Sequence, residues 1–183
     1  MTTLINILGA PGAGKTVLGT QLFTQLKIRG LDTEYVSEFV KGWTYEGRKV
    51  NKYGQYFIFG TESENQQKLF NKVDYVIADS PVLLTAFYQY YYWHSNTLIE
   101  PCKEFYKFAE EDNVKTYNIF IDRKYPYKKK GRFQTEEQSD ELKGMLLNWL
   151  QNNNFPFIYL KCLAKERIPK ILEILELDKL MVV

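Results

Sequence analysis

The stretch LINILGAPGAGKTVLGTQL, residues 4–22, limits what this chain can fold into more than any other. An apolar run from Leu4 to Leu8 leads into Gly9-Ala10-Pro11-Gly12-Ala13-Gly14-Lys15-Thr16, and a helix pattern follows. The eight residues match G-x-x-x-x-G-K-[ST] in full, with the strand before and helix after that the pattern requires. The glycines let backbone N–H groups turn inward around an anion, and the helix N-terminus adds its dipole. Lys15 is placed to reach the β- and γ-phosphates of a nucleoside triphosphate, and the Thr16 hydroxyl to meet Mg²⁺. Residues 9–16, with Val17 at the start of the helix, are the expected ATP–Mg²⁺ site.

The remaining pattern predicts the sheet that such a loop needs. Leu18, Leu22 and Leu26 share one helix face, and Gly30 suits its stop. Strands are predicted over 34–40, 75–78, 117–121 and 157–160. Helices are predicted over 64–70, 82–93 and 101–111. A further helix begins at the capping-box pair Thr135 and Gln138, and a closing helix is striped by Ile168, Ile171, Leu172 and Leu175. Pro169 falls in the first turn of that last helix, where a missing N–H is tolerated. Residues 41–64 read as loop with some helix. Strands alternating with helices give a central parallel sheet covered on both faces, the α/β fold of a P-loop NTPase. At 183 residues, with no linker or repeat, one domain over 1–183 is expected.

Composition removes several function classes. A net charge of +2 leaves no broad basic face, so any nucleic-acid contact must be local. Cys102 and Cys162 have no CxxC or His/Cys cluster around them, which argues against zinc and for reduced thiols in a cytoplasmic protein. The chain opens on a core strand, so no signal peptide is expected. The apolar run from Val76 to Trp93 is broken by Asp79 and Ser80 and is too polar for a membrane span.

Three further features carry chemistry. YVIADSP, residues 75–81, puts Asp79 at the end of an apolar strand, where a Walker-B carboxylate holds Mg²⁺ directly or through water. Asp79 is also a good cap for a helix begun by Ser80-Pro81. YVSEFVK, residues 35–41, puts Glu38 at the end of the second predicted strand. A carboxylate there accepts a proton from an acceptor hydroxyl or holds a sugar hydroxyl. RKYPYKKKGRFQ, residues 123–134, holds Arg123, Lys124, Lys128, Lys129, Lys130 and Arg132. Such a run is ordinarily a solvated face. Here it follows a strand on the active edge, and Arg123 and Arg132 are the candidates for a basic lid over the transferring phosphoryl group, with Gly131 as a hinge.

Other signals lead elsewhere. Asn71-Lys72-Val73-Asp74 imitates the guanine-reading N-K-x-D, but it precedes the Asp79 strand and no D-x-x-G follows. His94, the only histidine, has no partner motif and reads as surface or packing. YQYYYW, residues 88–93, suits either an aromatic core or base stacking.

Taken together, the phosphate loop, Glu38, ADSP and DRKYPYKKKGRFQTEEQSDEL resemble the small NadR/AAA-type P-loop proteins of bacteriophages, over about residues 3–176. These are similar to the nicotinamide riboside kinase domain of NadR. The resemblance implies a nucleoside-kinase-like fold, a substrate-side carboxylate matched by Glu38 and lid arginines matched by Arg123 and Arg132. It also matches Gln66 to a polar residue in the helix before the Asp strand. Relatives often read Glu-x-x-Arg at the second strand, and Lys41 takes the Arg place here. Some resembling kinases act on free nucleosides, and phage members phosphorylate 5-hydroxymethyluracil in DNA as a base-modification step. The expected activity is therefore transfer of the ATP γ-phosphate to a nucleoside- or nucleotide-type hydroxyl, free or in DNA contacted through 123–134. Lys15, Glu38, Asp79, Arg123 and Arg132 are the catalytic candidates, and Thr16 and Asp79 the metal ligands. Nicotinamide riboside is an alternative acceptor, and an ATP-hydrolysing switch without a second substrate an alternative class.

Overall fold

The computed structural model describes residues 1–128, 130 and 134–177. Five parallel strands stand in the order β2-β3-β1-β4-β5: β1 Thr3–Leu8, β2 Thr33–Val36, β3 Tyr75–Ala78, β4 Lys115–Ile121 and β5 Ile158–Leu160. The helices are α1 Lys15–Lys27, α2 Lys41–Tyr45, α3 Gly54–Gln67, α4 Val82–Trp93, α5 Ile99–Glu111, α6 Glu136–Asn152 and α7 Arg167–Ile174.

β1 is buried along its whole length because it is central, with Ile5 level with Ile77 of β3 and Tyr117 of β4. Its alternation sorts the layers. Ile5 and Ile7 face Leu18, Leu22 and Leu26 of α1 and Ile171 and Leu172 of α7. Leu8 and Phe120 face Leu83 and Phe87 of α4, Cys102 of α5 and Leu142, Leu146 and Trp149 of α6. Chain order then places the site. β1 connects through α1 toward the β2 edge, whereas β3 connects across β1 to β4. The crevice at that reversal, beyond the strand ends, is where open α/β sheets take their ligands.

Two expectations change. β2 ends at Val36, not at residue 40, because its last partner is Ala78 and the Asp79 N–H closes the ladder on Val36 O at 3.1 Å. Beyond it the chain turns into α2, so Glu38 stands in a loop. The helix expected over 64–70 starts ten residues earlier, at Gly54, and ends at Gln67. The capping box at Thr135 forms as expected: its Oγ1 accepts the Gln138 N–H at 3.3 Å, and its own N–H donates to Gln138 Oε1 at 2.8 Å. In the 71–74 turn, Asn71 takes a left-handed φ of 57° and its side chain donates to Asp112 O. Asp74 accepts the Asp32 N–H, so the segment serves the turn before β3.

Candidate active site

The phosphate loop closes over the end of β1. Gly12 and Gly14 hold φ of 81° and 93°, a region that only glycine enters at little cost, and they turn the backbone around a concave surface. Ala10 and Ala13 point into the core, while Pro11, Gly12, Gly14, Lys15, Thr16 and Val17 line a cleft of ≈ 220 Å³. Lys15 Nζ donates to Gly9 O at 3.1 Å, folded across the loop. From α6, Ser139 Oγ donates to Pro11 O at 2.5 Å and braces the loop from behind.

β1 and β3 are neighbours, so Thr16 and Asp79 meet. The Thr16 hydroxyl donates to Asp79 Oδ2 at 2.5 Å. Asp79 is buried, caps no helix, and its Oδ1 has no protein partner. A hydroxyl and a carboxylate with an orphaned buried oxygen make a hard, all-oxygen donor set, which fits Mg²⁺.

Tyr35 completes this corner and had no sequence signal beyond its place in β2. Its hydroxyl donates to Asp79 Oδ2 at 3.0 Å. Burial, then the Asp79 charge, raises its pKa, so it stays a donor. The ring fits because residue 19 is glycine: a Cβ there would stand 2.7 Å from Tyr35 Cε2. Tyr35→Phe is expected to cost about 1 kcal/mol of stability, the net worth of one hydrogen bond, read by urea denaturation.

The same cleft continues past Asp79. Glu38, Lys41, Gln55, Tyr88 and Lys130 are on its wall. Gln55 is buried and donates to Thr85 O at 2.8 Å. Burial, then the Glu38 charge, holds the Tyr88 phenol well above its ordinary pKa. Tyr88 stacks with Tyr92 at 6.0 Å, and Tyr92 accepts from Gln134 at the end of the basic segment. The aromatic run is thus divided: Tyr91 packs on Phe87 in the core, while Tyr88 and Tyr92 face the cleft. His94 ends α4 with φ 49° and packs edge-on to Tyr90.

Arg123 is placed differently from the other candidates. It pairs with Glu136 and Asp140 at the start of α6 and is not on the cleft wall. Arg132, Lys129 and Gly131 lie outside the described residues. Among the described residues, the arginine that touches the loop is Arg167, which sequence reasoning missed. It is 2% exposed, donates to Ala13 O at 3.3 Å and to Asp122 O, and ties α7 and the end of β4 to the phosphate loop. Its contact spans 154 positions, and no local pattern signals it. Glu62, also missed, is buried in α3 behind Glu38. Among the described residues no cluster of His, Cys, Asp and Glu forms a metal site, and no helix is long and apolar enough to cross a membrane.

Solved structures share this architecture. Deoxyadenosine kinase from M. mycoides, with dCMP and a flexible dCDP bound, superposes with a TM-score of 0.60 at 18% identity, covering 94% of this chain and 98% of that one. Shikimate kinase from Acinetobacter baumannii, in complex with shikimate, superposes with a TM-score of 0.54 at 19% identity, covering 99% and 96%. At such identities the likeness is one of fold, that of P-loop kinases. No curated protein sequence matches the chain. A family model described as an AAA domain matches residues 4–167, and by that match the chain belongs to this AAA-domain family of P-loop proteins.

Proposed function

We propose that this protein is an ATP-dependent kinase that transfers the γ-phosphate to a hydroxyl of a nucleoside- or nucleotide-type acceptor. One observation carries the reading: a single cleft is walled by Lys15, Thr16 and Asp79 on one side and by Glu38, Gln55 and Tyr88 on the other. A hydrolytic switch has no use for the second half. Similarity of fold to deoxyadenosine and shikimate kinases supports the same class. We read residues 1–183 as one domain.

In this reading residues 9–17 bind ATP, and Thr16 and Asp79 would hold Mg²⁺, which when bound neutralises charge on the β- and γ-phosphates. The acceptor hydroxyl gives its proton to the Glu38 carboxylate as its oxygen bonds to the γ-phosphorus. The bond from that phosphorus to the bridging oxygen breaks, and ADP leaves with the electron pair. Lys15 stabilises the charge that gathers on the leaving oxygens. Arg132 is the proposed lid arginine, and Arg123 reaches a phosphate only by exchanging Glu136 and Asp140 for it.

A second reading of the acceptor, a modified base such as 5-hydroxymethyluracil within DNA, is favoured by the surface beside the cleft mouth. Tyr45, Tyr53, Tyr56 and Phe57 are 64, 72, 46 and 58% exposed. Lys41, Arg48, Lys49 and Lys52 are interleaved with them, and the Arg48 guanidinium lies 3.4 Å from the Trp43 ring centroid. Exposed rings among cations suit stacked bases and phosphates.

The deciding experiment follows labelled γ-phosphate onto free nucleosides, nucleotides, nicotinamide riboside, plain DNA and hydroxymethylated DNA. Transfer only to hydroxymethylated DNA, weakening steeply with salt, supports the second reading; ATP hydrolysis at full rate with no labelled acceptor overturns both. Glu38→Gln is expected to lower turnover about 10²-fold with ATP affinity unchanged, as loss of a general base does.

A further inference from the structure

The loop that carries Glu38 needs an anchor. β2 has ended at Val36, so residues 37–40 have no ladder to hold them. The Phe39 carbonyl is used by the Gly42 N–H at 3.3 Å, and the Phe39 ring packs against Trp43 and Phe57 at 5.6 and 5.8 Å. The Phe39 N–H points inward, and its acceptor is Glu62 Oε1 at 3.0 Å. Glu62 is 0% exposed, rooted mid-helix in α3, and its Oε2 has no protein partner. One turn on, Gln66 is equally buried, with neither amide atom bonded to protein.

A helix packed in a protein interior ordinarily buries hydrocarbon. Here α3 buries Gln55, Glu62 and Gln66 with Ile58 as the apolar member. A buried carboxyl with one unbonded oxygen is costly and gives little stability in return. The α3 face runs directly behind the acceptor side of the cleft: Gln55 lines it, and Glu62 fastens the residue next to Glu38.

We propose that Glu62 is the positioning residue for Glu38: through the Phe39 N–H it fixes the 37–40 loop to α3 and so sets where the Glu38 carboxylate stands relative to the acceptor hydroxyl. Glu62 does not line the cleft and touches no reacting atom. Its effect passes through one backbone hydrogen bond, and an isosteric amide supplies the same acceptor oxygen. The charged groups whose fields reach Glu62 are Glu38 and Asp79, and burial raises its pKa to about 8, so at neutral pH it holds the loop as a neutral acid. The consequence for turnover rests on Glu38 being the acceptor-side base; the consequence for the loop does not.

Amide exchange at Phe39, read by mass spectrometry on peptides spanning 37–41, separates the two. Glu62→Gln is expected to keep wild-type protection, and Glu62→Leu to lose about tenfold, the worth of one hydrogen bond. In transfer assays at saturating ATP, Glu62→Leu is expected to lower turnover about 10- to 100-fold, as a displaced catalytic group does, with Glu62→Gln within about threefold of wild type and ATP affinity unchanged in both. Should Glu62→Leu not fold, Glu62→Asp, one methylene short of Phe39, carries the same expectation. Wild-type exchange at Phe39 in Glu62→Leu or Glu62→Asp overturns the proposal, as does a Glu62→Gln variant damaged as badly as they are. A wild-type protein that transfers phosphate to no acceptor overturns the kinase reading, while the exchange result still decides the anchoring.

Discussion

Lys15→Ala is expected to reduce γ-phosphate transfer by about 10²- to 10³-fold, the range for loss of one preorganised charge-stabilising donor. Lys15 is the first residue of α1, and its stem rises from the phosphate loop itself, where Nζ bonds Gly9 O at 3.1 Å. Lys41 and Lys130 also border the cleft, but they come from α2 and the basic segment. Neither is fixed to the phosphate loop itself, so neither substitutes for a positioned ammonium. The variant should fold normally, because Lys15 is only half-buried and the hydrogen bond it gives up, to Gly9 O, is worth about 1 kcal/mol. Single-turnover transfer with labelled ATP, alongside thermal unfolding, checks both halves. A normally folded Lys15→Ala protein with wild-type turnover would refute the cradle assignment.

What the residues revealed in advance follows from how local each signal is. The phosphate loop, β3 ending at Asp79, α4 over 82–93 and the Thr135 cap are contiguous patterns, and each forms where the pattern places it. The Thr16–Asp79 contact follows from topology, since the β1–α1 and β3–α4 junctions must adjoin once β1 and β3 pair. α3 was hidden for a physical reason: its buried positions are Gln55, Ile58, Glu62 and Gln66, so a reading based on apolar period finds no face to bury. Read from the sequence, the second strand extends to Val40 and so includes Glu38, but a strand ends where its partner does. Gly19 beneath Tyr35, and Arg167 against Ala13, are long-range fits between elements and leave no local trace. The side of the cleft formed by Lys15, Thr16 and Asp79 was therefore legible as a motif. The opposite side is assembled from α2, α3, α4 and the loop of Glu38, and of its members Gln55 had no sequence signal.

Glu62→Gln is expected to stabilise the protein at alkaline pH and not at acid pH. Taking the carboxyl out of water is the largest cause of its raised pKa; the Phe39 N–H opposes it, and the charges of Glu38 and Asp79 add to it. In the unfolded chain the group loses its proton near the ordinary 4.5, whereas in the fold it keeps it until about 8. Between those values the folded state binds the proton and the unfolded state does not, so wild-type stability falls as pH rises and this contribution levels off above about 8. Glutamine has no proton to lose and keeps the acceptor oxygen for Phe39. The gap between variant and wild type should therefore be small at pH 4 and open progressively. At about 1.4 kcal/mol per pH unit it approaches roughly 5 kcal/mol as an upper bound by pH 9. Urea denaturation across that range reads it directly. Parallel curves would show that Glu62 ionises normally in the fold. A gap that opens toward alkaline pH would instead mean that the wild type retains a carboxylic acid where an amide is more stable.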